Sequence, residues 1–376
     1  MTETSISSPL RIIQVINVRW FNATAWYGLF LGQLLARQGH EVLILCLPDT
    51  QTLNRVQKTG LAYQALNLNS NNPFVLARTL SQLKKIIQDF KPHIINCHRG
   101  EAFILFGLLA FKYGYSLVRT RGDQRLPKKN LFNLWLHNQV ARAVITTNST
   151  MFKHFQNVFK TPSSKLHLVI GGVDESKFYF SPAEREKIRR QYNYLQEDFV
   201  VGLVGRFDRV KGQKELIAAI SHLYHQENIK NIKLLLIGFD TALKEDTIRQ
   251  WLKEYQIESI TQITGKVDNP RAYICSLDLG VVASLYSETI IRAGLEIMGC
   301  GVPLIGTKVG VLPDILSPKA LVEPGNHLEL AQKIQQCLLD KPFLTTLYQE
   351  QREKIQTLYS QNFYEQTLKI YLGTLQ

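Results

Sequence analysis

Residues 200–237 read VVGLVGRFDRVKGQKELIAAISHLYHQENIKNIKLLLI. Residues 200–204 are a short apolar run of strand type, and 205–212 are a basic turn bounded by two glycines. Residues 213–225 carry helical periodicity, and 232–237 are a second apolar strand. Strand, turn, helix and strand in a span of this length make a βαβ unit. Such a unit needs a parallel sheet covered on both faces.

The same rhythm continues on both sides. Downstream, residues 259–264, 279–283 and 302–307 read as strands, and 343–375 are helical in pattern. Upstream, 12–18 is a strand, 19–26 a loop, and Leu29, Leu31, Leu34 and Leu35 form a helical stripe that Gly39 closes. Residues 41–47 are the next strand, stopped by Pro48. Helix 80–90, strand 93–97, helix 103–111, strand 115–119, helix 131–142 and strand 143–147 follow. The polar stretch 181–198, with Arg185, Lys187, Arg189 and Arg190, reads as a helix and linker between two halves. The expectation is an α/β fold of two Rossmann-like domains facing across a cleft. Ligands would bind at the C-terminal ends of the strands.

Composition agrees with a folded chain. Of 376 residues, 45% are hydrophobic and 20% charged, enough for two domain cores. The longest apolar run, 102–111, is too short to cross a bilayer. The start, MTETSISSPL, lacks the basic and apolar regions of a secretory signal. Cys46, Cys97, Cys275, Cys300 and Cys337 are scattered and form no Cys-x-x-Cys pair, so neither a disulfide framework nor a zinc site is expected. These features point to a cytoplasmic protein. Net charge is +13, but residues 1–190 hold 25 of the 44 Lys+Arg and only 10 of the 31 Asp+Glu. The N-terminal half is therefore the basic one. It would draw an anionic partner: nucleic acid, an acidic membrane surface or a phosphorylated substrate. No nucleic-acid recognition motif accompanies the charge, which argues against that partner.

Two motifs could carry chemistry. In Gly205-Arg206-Phe207-Asp208-Arg209-Val210-Lys211-Gly212, the glycines allow a sharp turn and close approach of the backbone to a ligand. Arg206, Lys211 and the N-terminus of the following helix suit a diphosphate, although a basic turn with no ligand would read the same way. The order is not that of a P-loop. In Ser287-Glu288-Thr289-Ile290-Ile291-Arg292-Ala293-Gly294-Leu295-Glu296, two glutamates would lie about 12 Å apart if the intervening segment is helical. One would sit at the helix entrance and one about two turns in. Carboxylates accept well from sugar hydroxyls, while idle helices also carry such pairs.

The tract from Glu288 through Met298-Gly299-Cys300-Gly301-Val302-Pro303 to Val309-Gly310-Val311-Leu312-Pro313-Asp314 resembles the signature of retaining glycosyltransferases of family 4. Those enzymes have two Rossmann-like domains, the GT-B fold. Gly205–Gly212, Gly39-His40-Glu41-Val42, Gly172-Val173-Asp174 and Gly238 are similar to further family elements in the family's order. The resemblance implies an N-terminal acceptor domain (1–180), a nucleotide-sugar domain (181–355) and a C-terminal helix (356–376) returning to the N-terminal domain. It implies that Arg206 and Lys211, with Gly205, bind the donor diphosphate, that Glu288 contacts the transferred sugar and that Glu296 contacts the ribose. Backbone N–H groups of Thr289, Ile290 and Ile291 would cap the distal phosphate. Lys266 and Val267 would lie against the base. His98 matches a family histidine at a strand end facing the sugar. On the residues alone it reads as a loop histidine near the sheet edge.

The chain departs from the family at Thr289-Ile290-Ile291, where a Gly-Phe-Gly tract is usual, and Arg292 adds a cation there. In the N-terminal loop, Trp20-Phe21-Asn22-Ala23-Thr24-Ala25-Trp26 replaces the family's paired glycines, which marks Asn22 and Thr24 as acceptor contacts. The basic segment Arg119-Thr120-Arg121-Gly122-Asp123-Gln124-Arg125 reads as a loop reaching the cleft. Arginine forks there could bind a phosphate or carboxylate, so Arg119, Arg121 and Asp123 are further acceptor candidates.

The expected activity is glycosyl transfer from a nucleotide-diphosphate donor to an acceptor hydroxyl, with retention. Lipopolysaccharide, polysaccharide or glycolipid synthesis is the expected setting. The chain has no Asp-x-Asp pair, and neither a metal nor any other cofactor is required by this reading. Expected partners are the nucleotide-sugar, a glycan or glycolipid acceptor (anionic if the basic segment meets it) and the inner membrane surface. Rivals are a sugar-phosphate synthase or nucleotide-sugar epimerase on the same fold, or a non-catalytic basic binding protein.

Overall fold

The computed structural model describes residues 8–376. The chain folds as two compact units. One comprises residues 8–171 together with 360–376, and the other residues 172–359.

The first unit has a seven-stranded, all-parallel sheet. Its strands are β1 (Arg11–Ile16), β2 (Glu41–Cys46), β3 (Ala62–Ala65), β4 (Ile94–Cys97), β5 (Ser116–Arg121), β6 (Ala143–Thr146) and β7 (Leu166–Leu168). They are ordered β3-β2-β1-β4-β5-β6-β7. Strands β1, β2 and β4 are mostly apolar because helices cover both faces, with Gln14 and Asn96 as polar exceptions. On one face Ile13, Val15, Leu45 and Ile95 pack with Phe103, Phe106 and Phe155 from the helices and with Phe159, just past helix Ser149–Asn157. Each such side chain contributes about 1.5–3 kcal/mol on burial, more than the ~1 kcal/mol typical of a helix cap. Sheet-to-helix packing therefore dominates over end signals. Gly39 still acts as expected. Helix Ala23–Arg37 ends at Gln38, and Gly39 has φ +87°.

The second unit has a six-stranded parallel sheet ordered β10-β9-β8-β11-β12-β13. Its strands are β8 (Phe199–Val204), β9 (Ile232–Ile237), β10 (Thr261–Ile263), β11 (Leu279–Val282), β12 (Leu304–Thr307) and β13 (Leu321–Val322). Helix Gln213–His225 connects β8 and β9, completing the βαβ unit read from the sequence.

The C-terminal segment is two helices. Lys341–Gln356 stays with the second unit and Ser360–Gly373 packs in the first. At the break, the Val173 N–H donates to the Leu358 carbonyl at 2.9 Å. In the first unit, Phe363 meets the Tyr27 ring edge-on at 4.8 Å. The Tyr371 hydroxyl reaches Gln14 on β1 and Asn96 on β4. Among the described residues, no helix is long and apolar enough to cross a membrane.

Candidate active site

In the second unit the sheet order reverses at β8, with β9 on one side and β11 on the other. In a sheet of this order, ligands usually bind beside the loops that leave the C-terminal ends of the two strands at the reversal, here β8 and β11. These loops are residues 205–212 and 283–291, the two motifs singled out in the sequence.

The loops are fastened to each other. The Leu285 N–H donates to the Val210 carbonyl at 2.8 Å. Gly212 has φ +71°, and a Cβ there would stand 2.0 Å from the Ala283 carbonyl oxygen. Lys211 Nζ lies 2.5 Å from Glu288 Oε1. Ser284 Oγ donates to the same oxygen, also at 2.5 Å. Glu288 is buried, and these two partners pair with and hydrogen-bond its carboxylate. Its backbone is held as well: the Val311 N–H donates to the Glu288 carbonyl at 2.7 Å. Arg206 is 54% exposed, with Nη2 2.7 Å from Asp208 Oδ2. Gln213 Nε2 donates to the Arg206 carbonyl at 2.9 Å and fixes the turn.

The helical reading of 288–296 needs correction. The helix is Arg292–Gly299, so Glu288 stands in an irregular loop and Glu296 is the helix's fifth residue. Ile290 and Ile291 are buried, and Ile291 fills the space beside Gly294. Apolar anchoring of the loop competes with helix propensity and wins. Thr289 is half-buried. Glu296 is buried, and Arg292 Nε donates to its Oε1 at 2.6 Å. Burial raises the Glu296 pKa, with Arg292 opposing the rise. Gly205 leaves β8 directly, and Gly238 leaves β9 so close to it that a Cβ would lie 2.2 Å from the Gly205 carbonyl oxygen. Lys266 is exposed and Val267 half-buried on the loop after β10, two strands from β8.

In the first unit the order reverses between β1 and β4. His98 follows β4 directly, at the sheet centre, which overturns the reading as a sheet-edge histidine. Its backbone N–H donates to the Val15 carbonyl at 3.0 Å. Its ring packs where a side chain on Gly28 would be, 2.9 Å from an added Cβ. Nε2 lies 2.7 Å from Gln14 Oε1, which assigns the proton to Nε2 and leaves Nδ1 as acceptor. Nδ1 is buried with no partner. Burial, with Arg119 adding to it, lowers the His98 pKa to about 3. The imidazole is therefore neutral.

The acceptor candidates need a second correction. Arg119 and Arg121 belong to β5 and are buried, not carried on a solvated loop. Arg119 Nη1 donates to the Cys97 carbonyl at 2.8 Å, and Nη2 to Asp123 Oδ2 at 3.0 Å. Arg121 Nη1 is 3.3 Å from the same Asp123 oxygen, and Arg99 Nη1 is 3.3 Å from Oδ1. Burial pushes Arg121 down to about 9, helped by Arg119. Asp123 thus gathers three guanidinium groups, of which Arg99 is the more exposed. Asn22 caps helix Ala23–Arg37 through the Ala25 N–H at 3.1 Å. Thr24 lies in the first turn and donates to the Gly122 carbonyl at 3.2 Å. The expected loop 19–26 is therefore already helical from Ala23.

Sequence reasoning missed Ser284, Gln14, Gly28 and Tyr371. Gln14 had a signal: it is the single polar residue inside the apolar run Arg11–Ile16 once the strand has begun.

Family models match both units. Residues 26–177 match Glycosyltransferase Family 4, and residues 184–356 match Glycosyl transferases group 1. The chain is a family 4, group 1 glycosyltransferase. It is 23% identical to N-acetyl-alpha-D-glucosaminyl L-malate synthase of Bacillus anthracis over 87% of each chain. A glycosyltransferase from Rickettsia africae ESF-5 superposes with TM-score 0.86 at 19% identity, over 98% of this chain and 99% of that one. Anabaena Alr3699/HepE in complex with UDP-glucose gives TM-score 0.78 at 18% identity, over 96% and 98%. The glycosyltransferase therefore has the GT-B fold.

Proposed function

We infer that this glycosyltransferase takes its sugar from a nucleotide-diphosphate donor held by the second unit at the loops after β8 and β11. The observation that carries this reading is the Lys211–Glu288 pair, 2.5 Å long, with Ser284 on the same carboxylate oxygen. A lysine and an exposed arginine beside a carboxylate suit a ligand with an anionic half and a hydroxyl-rich half. Lys211 and Arg206 would take the diphosphate, and Glu288 would accept from sugar hydroxyls. Glu296 would take the ribose hydroxyls. The UDP-glucose complex of the Anabaena neighbour supports the donor class.

In the transfer, the acceptor oxygen bonds to the anomeric carbon while the bond from that carbon to the phosphate oxygen breaks. Configuration is retained, and the departing phosphate oxygen takes the acceptor's hydroxyl proton. Lys211, Arg206 and backbone N–H groups stabilise the charge that develops on the leaving diphosphate. This scheme needs no metal. In the first unit, His98 would offer a neutral Nδ1 acceptor to a substrate hydroxyl. The Bacillus anthracis relative bears the name of malate, a dicarboxylate, which supports an acidic acceptor. Arg99 of the Asp123 cluster is the group suited to meet it.

Incubation with a panel of labelled nucleotide-sugars and acidic acceptors tests the reading. The expected result is one glycosylated product with the donor's anomeric configuration. Donor epimerisation without transfer, or a product of inverted configuration, contradicts it.

A further inference from the structure

The first unit exposes an apolar face that the chemistry above does not use. Leu108 and Phe111 project from helix Phe103–Tyr113, and Phe111 is 71% exposed. Leu131, Phe132 and Trp135 project from the short helix Leu131–Trp135, which has no buried residue, and Leu131 is 87% exposed. The two helices share one surface. The Phe111 and Trp135 rings are 6.3 Å apart at 18°, and the Phe132 and Trp135 rings 6.1 Å apart. Contiguous exposure of this kind marks an interaction site, because isolated surface residues would scatter.

The charge around the patch identifies the occupant. Between residues 102 and 135 the exposed charged residues are Lys112, Arg125, Lys128 and Lys129, all basic, while the single acid of that span, Asp123, is paired with the buried Arg119 and Arg121. Lys112 follows Phe111 directly, and Lys128 and Lys129 stand just before Leu131, all three exposed. We propose that this face docks on the surface of an anionic lipid bilayer, with the Leu and aromatic side chains entering the headgroup boundary and the lysines meeting lipid phosphates. Tryptophan prefers that boundary, and lysines next to an apolar face strengthen binding to acidic lipid. A nucleic acid would stack on the aromatic rings but would leave Leu108 and Leu131 without a partner. A second copy placed by two-fold symmetry would bring the basic segment against itself. With no helix suited to spanning among the described residues, the contact lies along the membrane plane.

Co-sedimentation of the full chain with vesicles tests the proposal. One set is pure phosphatidylcholine and the other equal parts phosphatidylcholine and phosphatidylglycerol. The variants are Phe111→Ser with Leu131→Ser, and Lys128→Glu with Lys129→Glu. All four positions are exposed, so the melting temperature should not move. Wild type should pellet with the anionic vesicles and at least tenfold less with the neutral ones. Each double variant should lose at least tenfold in partitioning. No binding to anionic vesicles overturns the proposal, as do equal binding to both vesicle sets and unaltered binding by the variants. Light scattering that shows a dimer dissolved by Phe111→Ser with Leu131→Ser would assign the face to a second copy instead.

Discussion

Gly310 lies against the backbone of Glu288. With φ +59°, it leaves so little room that a Cβ would stand 1.8 Å from the Glu288 carbonyl oxygen. The next residue, Val311, donates its N–H to that oxygen. The Val-Gly turn of the sequence is thus the wall that sets the height of the glutamate loop.

Gly310→Ala should displace Glu288. A misplacement of about 1 Å costs on the order of a hundredfold in rate, so steady-state transfer should fall by about that factor. Gly325→Ala is the control. It also has positive φ, but open space surrounds it. It should cost about 1 kcal/mol in stability and leave turnover unchanged. Equal activity in the two variants would refute the wall.

Glu296 predicts opposite effects on stability and binding. Its folded pKa is raised, with burial as the main cause. Its contribution to stability is therefore full below the ordinary carboxylate pKa and is lost as pH rises through the raised value. Glu296→Gln removes that loss. The variant should melt at or above the wild-type temperature at pH 8, with the gain vanishing near pH 4, while donor affinity drops roughly tenfold for lost ribose hydrogen bonds. Thermal melts at the two pH values decide. A variant less stable at pH 8 than at pH 4, each relative to wild type, contradicts the account.

His98 should stay neutral across the working range, since its pKa is lowered to about 3. Because it is depressed, its share of stability is present above the ordinary histidine value and lost as pH falls below it. Imidazole proton shifts followed by NMR from pH 8 to pH 5 should show no titration at His98. A midpoint near pH 6.5 would remove the neutral acceptor role. Gly28→Ala should push the ring aside and lower turnover without weakening nucleotide diphosphate binding.

Transfer should survive exhaustive chelation if Lys211 and Arg206 supply the charge that a metal would otherwise bring. Activity lost in EDTA and restored by magnesium or manganese would show that they do not suffice.

Much of the fold was legible because most central strands are short, largely apolar runs with helical stripes between them. β3, β7 and β13 were not. They are short, and β3 is exposed at every residue, so neither period nor apolarity marks it. In the candidate site, Lys211 and Glu288 are marked out by a glycine-bounded basic turn and a glutamate pair, and the family resemblance gives them their roles. The contact between them was not legible, since 77 residues separate them and only the crossing of β11 beside β8 brings them together. Arg119 and Arg121 misled for a related reason. Charge in a sequence reads as solvent exposure, whereas Asp123, two residues past the strand end, lets β5 keep both guanidinium groups inside.

A nucleoside diphosphate is expected to bind beside the Lys211–Glu288 pair. Thermal-shift titration with UDP, GDP and ADP measures this without knowledge of sugar or acceptor. At a hundred times Kd, a bound ligand adds about 2.7 kcal/mol, which raises the melting temperature by roughly 5 °C or more in a unit of this size. One of the three should produce that shift in wild type. It should vanish in Lys211→Ala and shrink in Arg206→Ala, each referred to its own unliganded melt. No shift with any of the three, or the same shift in Lys211→Ala, would contradict the account.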